Sequence, residues 1–251
     1  MEEITTALAA QQDTLTDLLV GLEDSDWLRD SPCEGWSVAD VVLHLAQTNE
    51  LAIGSIAGRF AEAMAELTRG LEPASDVDDG AARMVARDRG SSRADIRERW
   101  QRSADGFTAR LRSSDPHQRV AWVAGELSTR TLATTRLAET WIHTGDVARA
   151  LDRVVQPTDG LRHIARLAWR TLPYAFARAD RQLHGPVAFR LRAPDGQAWV
   201  FAPDSDPLTT IQGDAVDLCL VAARRAEPAD TGLSAVGPDG AAVLELVRTY
   251  A

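Results

Sequence analysis

The sequence predicts a mainly α protein, an N-terminal four-helix bundle followed by a small α+β region. Three observations lead there. Long stretches before about residue 180 repeat apolar residues at helical spacing. Val187-Ala188-Phe189-Arg190-Leu191-Arg192 then alternates with period two, as a half-buried strand does. The change of texture falls at His184-Gly185-Pro186, where Gly and Pro break regular structure. The expected domains are residues 1–182, the bundle, and 183–251, the α+β part.

Taken in order, Ile4, Leu8, Leu15, Leu18, Leu19 and Leu22 form one apolar stripe and predict a first helix over 4–22. Pro32 and Gly35 break the chain between Ser25 and Trp36. Ser37-Val38-Ala39-Asp40 then resembles a capping box, with Asp40 in place of the usual Glu. A long helix is expected from there to about Thr68. Glu72, Pro73, Asp76, Asp78 and Asp79 make 70–80 acidic and irregular. More helix follows, interrupted near Gly90-Ser91-Ser92 and ending around Leu111. After a connection over 112–127, Ser128 is placed to cap a helix that runs to about Leu151. Another helix is expected over 159–180, kinked at Pro173. Pro194-Asp195-Gly196 is turn chemistry, and Ala198-Trp199-Val200-Phe201 reads as the return strand. Leu208–Ile211 is a candidate third strand. Helices are expected from Asp214 through Arg224 and over 241–249.

Composition narrows the function. The 251 residues suit one large domain or two modest ones. All 27 basic residues are Arg, and the net charge is -10. So acidic a chain is a poor general binder of nucleic acid, because phosphate contacts need a basic face. Two Cys make no secreted disulfide framework. No apolar run reaches membrane-spanning length, and Met1-Glu2-Glu3-Ile4 lacks the basic start of a secretion signal. The cytoplasm is the expected location.

Two stretches carry the chemistry. His44 lies in Val41-Val42-Leu43-His44-Leu45, on a face with Val41, Thr48 and Leu51 that should point inward. Glu139-Thr140-Trp141-Ile142-His143 sets a carboxylate and an imidazole at i and i+4, on one helix face. Two packed helices would let His44 meet them. Two His and one carboxylate can hold a divalent metal and leave other positions open. A buried ionised Glu needs a cation, which the metal supplies and for which Arg136, one turn earlier, is the rival. Asp146 is placed to accept the other ring N–H of His143 and fix its tautomer, or else to pair loosely with Arg149. Two N ligands and one O suit zinc, with Ni, Fe, Co and Mn open.

The stretch from Ser31-Pro32-Cys33-Glu34-Gly35-Trp36 through His44-Leu45 resembles the signature of the DinB-like metalloprotein superfamily. It is most similar to the branch of mycothiol-dependent maleylpyruvate isomerases of actinobacteria. The later Glu139-x-x-x-His143 matches that family's second element. The resemblance implies a four-helix bundle with one divalent metal, usually zinc, and a smaller C-terminal domain similar to sterol-carrier-type α+β folds. Asp217-Leu218-Cys219-Leu220-Val221-Ala222-Ala223-Arg224-Arg225 resembles a family helix that ends in Gly-Arg. Arg225 then matches a functional Arg, although Arg224 stands where the Gly is expected. A bare alternative is that both Arg only favour a helix C-terminus. The Pro-Cys-x-Gly-Trp loop reads as structural, with Gly35 permitting the turn and Trp36 plugging the bundle end. No His or Lys adjoins Cys33 in the chain to activate its thiol.

These readings predict an anion-attracting centre. A metal there would deprotonate a low-molecular-weight thiol, with mycothiol as the implied cosubstrate. The thiolate would attack an electrophilic, anionic small molecule, whose carboxylate Arg225, as the resemblance implies, or another Arg would hold. Addition, bond rotation and elimination give isomerisation; addition alone gives S-transfer. A metal-dependent hydrolase, another biosynthetic activity on the scaffold, and a non-catalytic binding protein are the alternatives.

Overall fold

The computed structural model describes residues 1–249. It divides into two compact units, Met1–Val155 and Gln156–Ala251. The division comes ahead of the 182/183 boundary expected from the change in texture. That change marks where strand begins, whereas the helices just before it already pack with the second unit's own elements.

The first unit contains α1 (Glu2–Leu19), α2 (Asp24–Trp27), α3 (Val38–Ile56), α4 (Phe60–Leu67), α5 (Val77–Asp88), α6 (Arg93–Arg112), the two-residue strands β1 (Arg119–Val120) and β2 (Leu127–Ser128), and α7 (Thr129–Ala150). The four long helices α1, α3, α6 and α7 form the bundle. α3 packs on α6 and α7, and α1 packs on α6 and α7. One end of the core joins Leu15 and Leu19 to Val41, Leu45, Trp100 and Val147. Burying each such side chain contributes about 1.5–3 kcal/mol.

Local chemistry sets the helix ends. The Ser37–Asp40 capping box is formed: Asp40 N–H donates to Ser37 Oγ at 3.3 Å, and Ser37 N–H donates to Asp40 Oδ2 at 2.9 Å. Arg89 then binds Asp40 Oδ1 at 2.9 Å and the Gly35 carbonyl at 2.8 Å, tying the preceding loop to the cap. The helix expected to run from there to Thr68 is instead two helices. Gly58, at φ 71°, takes the left-handed conformation between α3 and α4, which ends an α-helix. Arg99 clamps the bundle outside the core, forking onto Glu50 at 2.7 Å and reaching Asp88 at 2.7 Å.

The second unit holds α8 (Leu161–Arg170), α9 (Leu172–Arg178), β3 (Val187–Arg192), β4 (Ala198–Phe201), β5 (Thr209–Asp214), α10 (Ala215–Ala222), β6 (Ser234–Val236) and α11 (Gly240–Leu246). The expected kink at Pro173 is a full break at Thr171, with Pro173 in the first turn of α9, where its missing N–H is harmless. The sheet order is β4-β3-β5-β6; β3 and β5 are parallel and the outer pairs antiparallel. Phe189 pairs with Phe201 and Ile211, so alternate residues build one buried face. Trp169 stacks on Phe201 and donates to the Val187 carbonyl at 2.8 Å. β6 had no sequence signal, for its three residues are all exposed and carry no alternation. No helix among the described residues is long and apolar enough to cross a membrane.

The end of α10 explains the Gly-Arg position. Arg225 N–H donates to the Leu220 carbonyl at 2.8 Å and Arg224 N–H to the Val221 carbonyl at 3.0 Å, the paired bonds of a Schellman cap. Arg224 carries the required left-handed backbone, at φ 58°, where glycine is the unstrained choice.

Two substitutions should move stability in directions that propensity alone does not give. Arg224→Gly relieves the left-handed strain and should stabilise by up to about 1 kcal/mol, raising the melting temperature by a few degrees. Gly54→Ala should gain about 1 kcal/mol on helix propensity. Its new Cβ, however, would lie 2.5 Å from Ala63 Cβ and 3.3 Å from the Arg59 carbonyl oxygen. Overpacking costs about 1–3 kcal/mol, so thermal melts should show a net loss.

Candidate metal centre

The 22 residues of α7 present an unusual face to the bundle. Arg136, Thr140, His143, Thr144 and Asp146 are all buried there. The threonines cost little, because Thr140 Oγ1 donates to the Arg136 carbonyl at 2.8 Å and Thr144 Oγ1 to the Thr140 carbonyl. The charged groups need partners across the bundle, and α3 supplies them.

His44 of α3 and His143 of α7 face one another, ring centroids 5.1 Å apart. Glu139 Oε2 lies 3.7 Å from His44 Nε2 and 3.6 Å from His143 Nε2. One donor atom from each of the three falls within 4.8 Å of the others. Those separations exceed a hydrogen bond. They lie close to the ~3.3 Å between ligand atoms that each stand 2.0–2.1 Å from a tetrahedral zinc. The Glu139 side chain keeps 23% of its surface, so the cluster opens to solvent on one side.

Asp146 is almost wholly buried, at 1% exposure, and its Oδ2 lies 3.0 Å from His143 Nδ1. The Cys33 thiol donates to the same oxygen at 3.3 Å and lies 3.8 Å from His143 Nδ1. The sequence places this cysteine in a structural loop, since no His or Lys adjoins it in the chain; in space a His and an Asp of α7 adjoin it. Its only signal was position, in the loop that leads into the His44 helix. Trp36 of that loop, expected to plug the bundle end, stands over His44 with ring centroids 5.1 Å apart. The loop is folded tightly, Ser31 N–H donating to the Trp36 carbonyl at 2.8 Å and Gly35 standing at φ 72°.

Burial alone would raise the Glu139 pKa, but the two imidazoles and the Arg136 charge outweigh it and hold the carboxyl well below its usual range. Burial likewise opposes a charge on His143, yet Asp146, Cys33 and Glu139 push the imidazole well above its usual value. His44 is lowered, chiefly by burial. His44 Nδ1 is buried without a hydrogen-bond partner, which leaves Nε2 as its working nitrogen. Without metal, then, a proton on His143 answers Glu139.

Arg136, foreseen as the rival cation, acts on Glu139 through its charge. Among the described residues it forms no ion pair with Glu139; Nε and Nη2 reach Asn49 Oδ1 of α3 at 3.4 and 3.3 Å. Arg225 follows α10 in the second unit, where its Nη1 donates to the Ala223 carbonyl at 3.1 Å.

Cys33, His143 and Asp146 form a second group with donor atoms within 4.8 Å of one another. That group is closed by hydrogen bonds, whereas the His44 group stands apart at distances that leave room for an ion. Metal analysis of purified protein separates them. One divalent ion per chain should be lost in His44→Ala and His143→Ala, and Asp146→Asn should bind about 10–100-fold more weakly. Loss in Cys33→Ala with retention in His44→Ala would move the ion to the other group. Apparent metal affinity should also fall, by up to about tenfold per pH unit, as pH drops below the raised His143 pKa, because the ion must displace that proton.

Comparisons with known proteins give the family and the fold. The family model of the mycothiol maleylpyruvate isomerase N-terminal domain matches residues 8–148. Uncharacterized proteins of two Mycobacterium tuberculosis strains are 31% identical over 247 residues, covering 97% of this chain and 93% of theirs. A crystal structure of the mycothiol-dependent maleylpyruvate isomerase, and one of its histidine-to-alanine variant, share the fold with TM-score 0.62 at 18% identity, over 95% of both chains. The chain belongs to the family defined by the mycothiol maleylpyruvate isomerase N-terminal domain.

Proposed function

We propose that this protein is a metal-dependent enzyme that uses a low-molecular-weight thiol, mycothiol by family, to isomerise an electrophilic small molecule or to join the thiol to it as a thioether. The observation that carries this reading is the open cluster of His44, Glu139 and His143 at a solvent-reachable point of the bundle. In this reading these three side chains hold a divalent metal, zinc first. A bound dication supplies the charge that lets a coordinating thiol give up its proton near neutral pH.

The protein's own groups do the rest. Asp146 accepts from His143 Nδ1, so Nε2 is the free nitrogen and the ring cannot turn. Cys33 donates to that carboxylate and steadies it. Trp36 covers His44 and keeps water from its ring. The thiolate sulfur forms a bond to one carbon of an activated double bond, and the electron pair moves onto the conjugated carbonyl. Rotation about the resulting single bond and expulsion of the thiolate return a trans alkene and the unchanged thiol. Where a proton from solvent quenches the adduct instead, the product is the thioether. Arg225 is the candidate for the substrate's carboxylate by family resemblance, through its planar fork.

Incubating the metal-loaded protein with mycothiol and cis-unsaturated keto acids, maleylpyruvate first, tests this. Turnover should require both thiol and metal and should fall at least about a hundredfold in Glu139→Gln. A constant thiol concentration indicates isomerisation, a falling one S-transfer. Cleavage of the substrate by water without thiol, with the products identified, would instead establish the hydrolase reading.

A further inference from the structure

The charge around the cluster is not what the ligands alone imply. Glu139 leaves one positive charge on a dication. Asp146, buried against His143, removes it. With neutral imidazoles the ion and its two carboxylates sum to zero, which weakens the centre's preference for an anion over water or an amine. Yet thiol chemistry needs that preference. A cation is present to restore it. Arg136 lies one turn before Glu139 on α7 at 1% exposure, and its charge acts on both Glu139 and His44.

This guanidinium is unusual in what it lacks. Its Nε and Nη2 share a single neutral acceptor, Asn49 Oδ1, at the long end of hydrogen bonding. Asn49 is itself fully buried, and its Nδ2 has no partner among the described residues. That amide cannot simply be turned over, since Nδ2 would then face another donor. A buried charge held only by a neutral group costs several kcal/mol. Burial pushes the Arg136 pKa down, to about 10, and still leaves the side chain charged at neutral pH. A structural role would be served better by a carboxylate partner or an apolar side chain. A buried charge without a close carboxylate partner, one turn from Glu139 and acting on it and on His44, calls for another explanation.

We propose that Arg136 is the residue that makes the centre selective for anionic ligands: its fixed charge raises the net charge of the metal-loaded cluster from zero to plus one. Ligands favoured at the open positions are then monoanions, a thiolate or a carboxylate, over neutral donors of equal size. The inference rests on the metal centre proposed above. Arg136 acts through space and needs no contact with the ligand, in keeping with its burial.

Cobalt(II)-substituted protein tests it by optical titration with azide, a monoanion, and with imidazole, a neutral donor. Arg136→Gln and Arg136→Met should hold cobalt with wild-type stoichiometry. Their azide dissociation constants should rise roughly ten- to a hundredfold, and their imidazole constants should stay within about threefold of wild type. Arg136→Lys, which keeps the charge, should match wild type within about threefold for both ligands. Azide constants unchanged in both neutral variants would overturn the inference. So would equal weakening of azide and imidazole, or loss of cobalt from both neutral variants, since each assigns Arg136 a structural part. Wild-type protein that takes up no cobalt would overturn the reading of the centre itself.

Discussion

Glu139 sets the terms for the rest of the bundle. A carboxylate removed from water costs several kcal/mol unless a cation answers it. Two imidazoles face this one, from α3 and from its own helix, and the nearest atoms stop short of hydrogen bonds. A proton on His143 is a partial answer, and an ion bound by all three would be a fuller one. Either way α3 and α7 must keep their mutual register. The Ser37–Asp40 cap starts α3 at a defined residue, and Arg89 ties that cap to the loop carrying Cys33 and Trp36. The position of His44 is therefore fixed from outside the centre, by hydrogen bonds that have no part in ligand binding.

Much of this was legible in the chain. The i, i+4 spacing of Glu139 and His143 is a statement about one helix, and helices obey it wherever they sit. The capping box is equally local, and Asp40 serves in it as Glu would, because only a carboxylate that reaches back one turn is needed. The strands β3 and β4 declared themselves by alternation. The meeting of His44 with the other two was a guess about packing, made from an inward face and supported by family resemblance.

What was not legible is long-range or unpatterned. Cys33 has no charged neighbour in sequence, and only folding places it beside Asp146. Arg136 was correctly seen one turn from Glu139, but a helical turn allows several rotamers, and this one crosses to Asn49. The break at Gly58 was hidden by an apolar pattern that continues on both sides of it. The boundary after Val155 follows from which faces α8 and α9 bury, and a helix does not announce its partner. At Arg224 the departure from Gly-Arg cast doubt on Arg225. The Schellman bonds show that the cap survives the substitution, with the strain borne by one backbone dihedral.

The polar face of α7 has a consequence for how the bundle is built. A helix that buries Arg136, His143 and Asp146 beside four threonines cannot rely on apolar contact along that face. Its adhesion comes from the remaining positions, Leu132, Leu137, Ile142 and Val147, and from the apolar ends of α1, α3 and α6. Stability and chemistry thus share α7, since Leu132 and Val147 stack one turn from Arg136 and His143 while Leu137 and Ile142 lie to the sides. Asp146 belongs to both, since the same carboxylate that orients His143 also anchors the Cys33 loop to α7. Changes at Leu137 or Ile142 should alter folding and leave the centre's charge balance intact, whereas a change at Asp146 alters both together. That coupling is why a buried polar network of this kind tolerates little substitution even where no member touches a ligand.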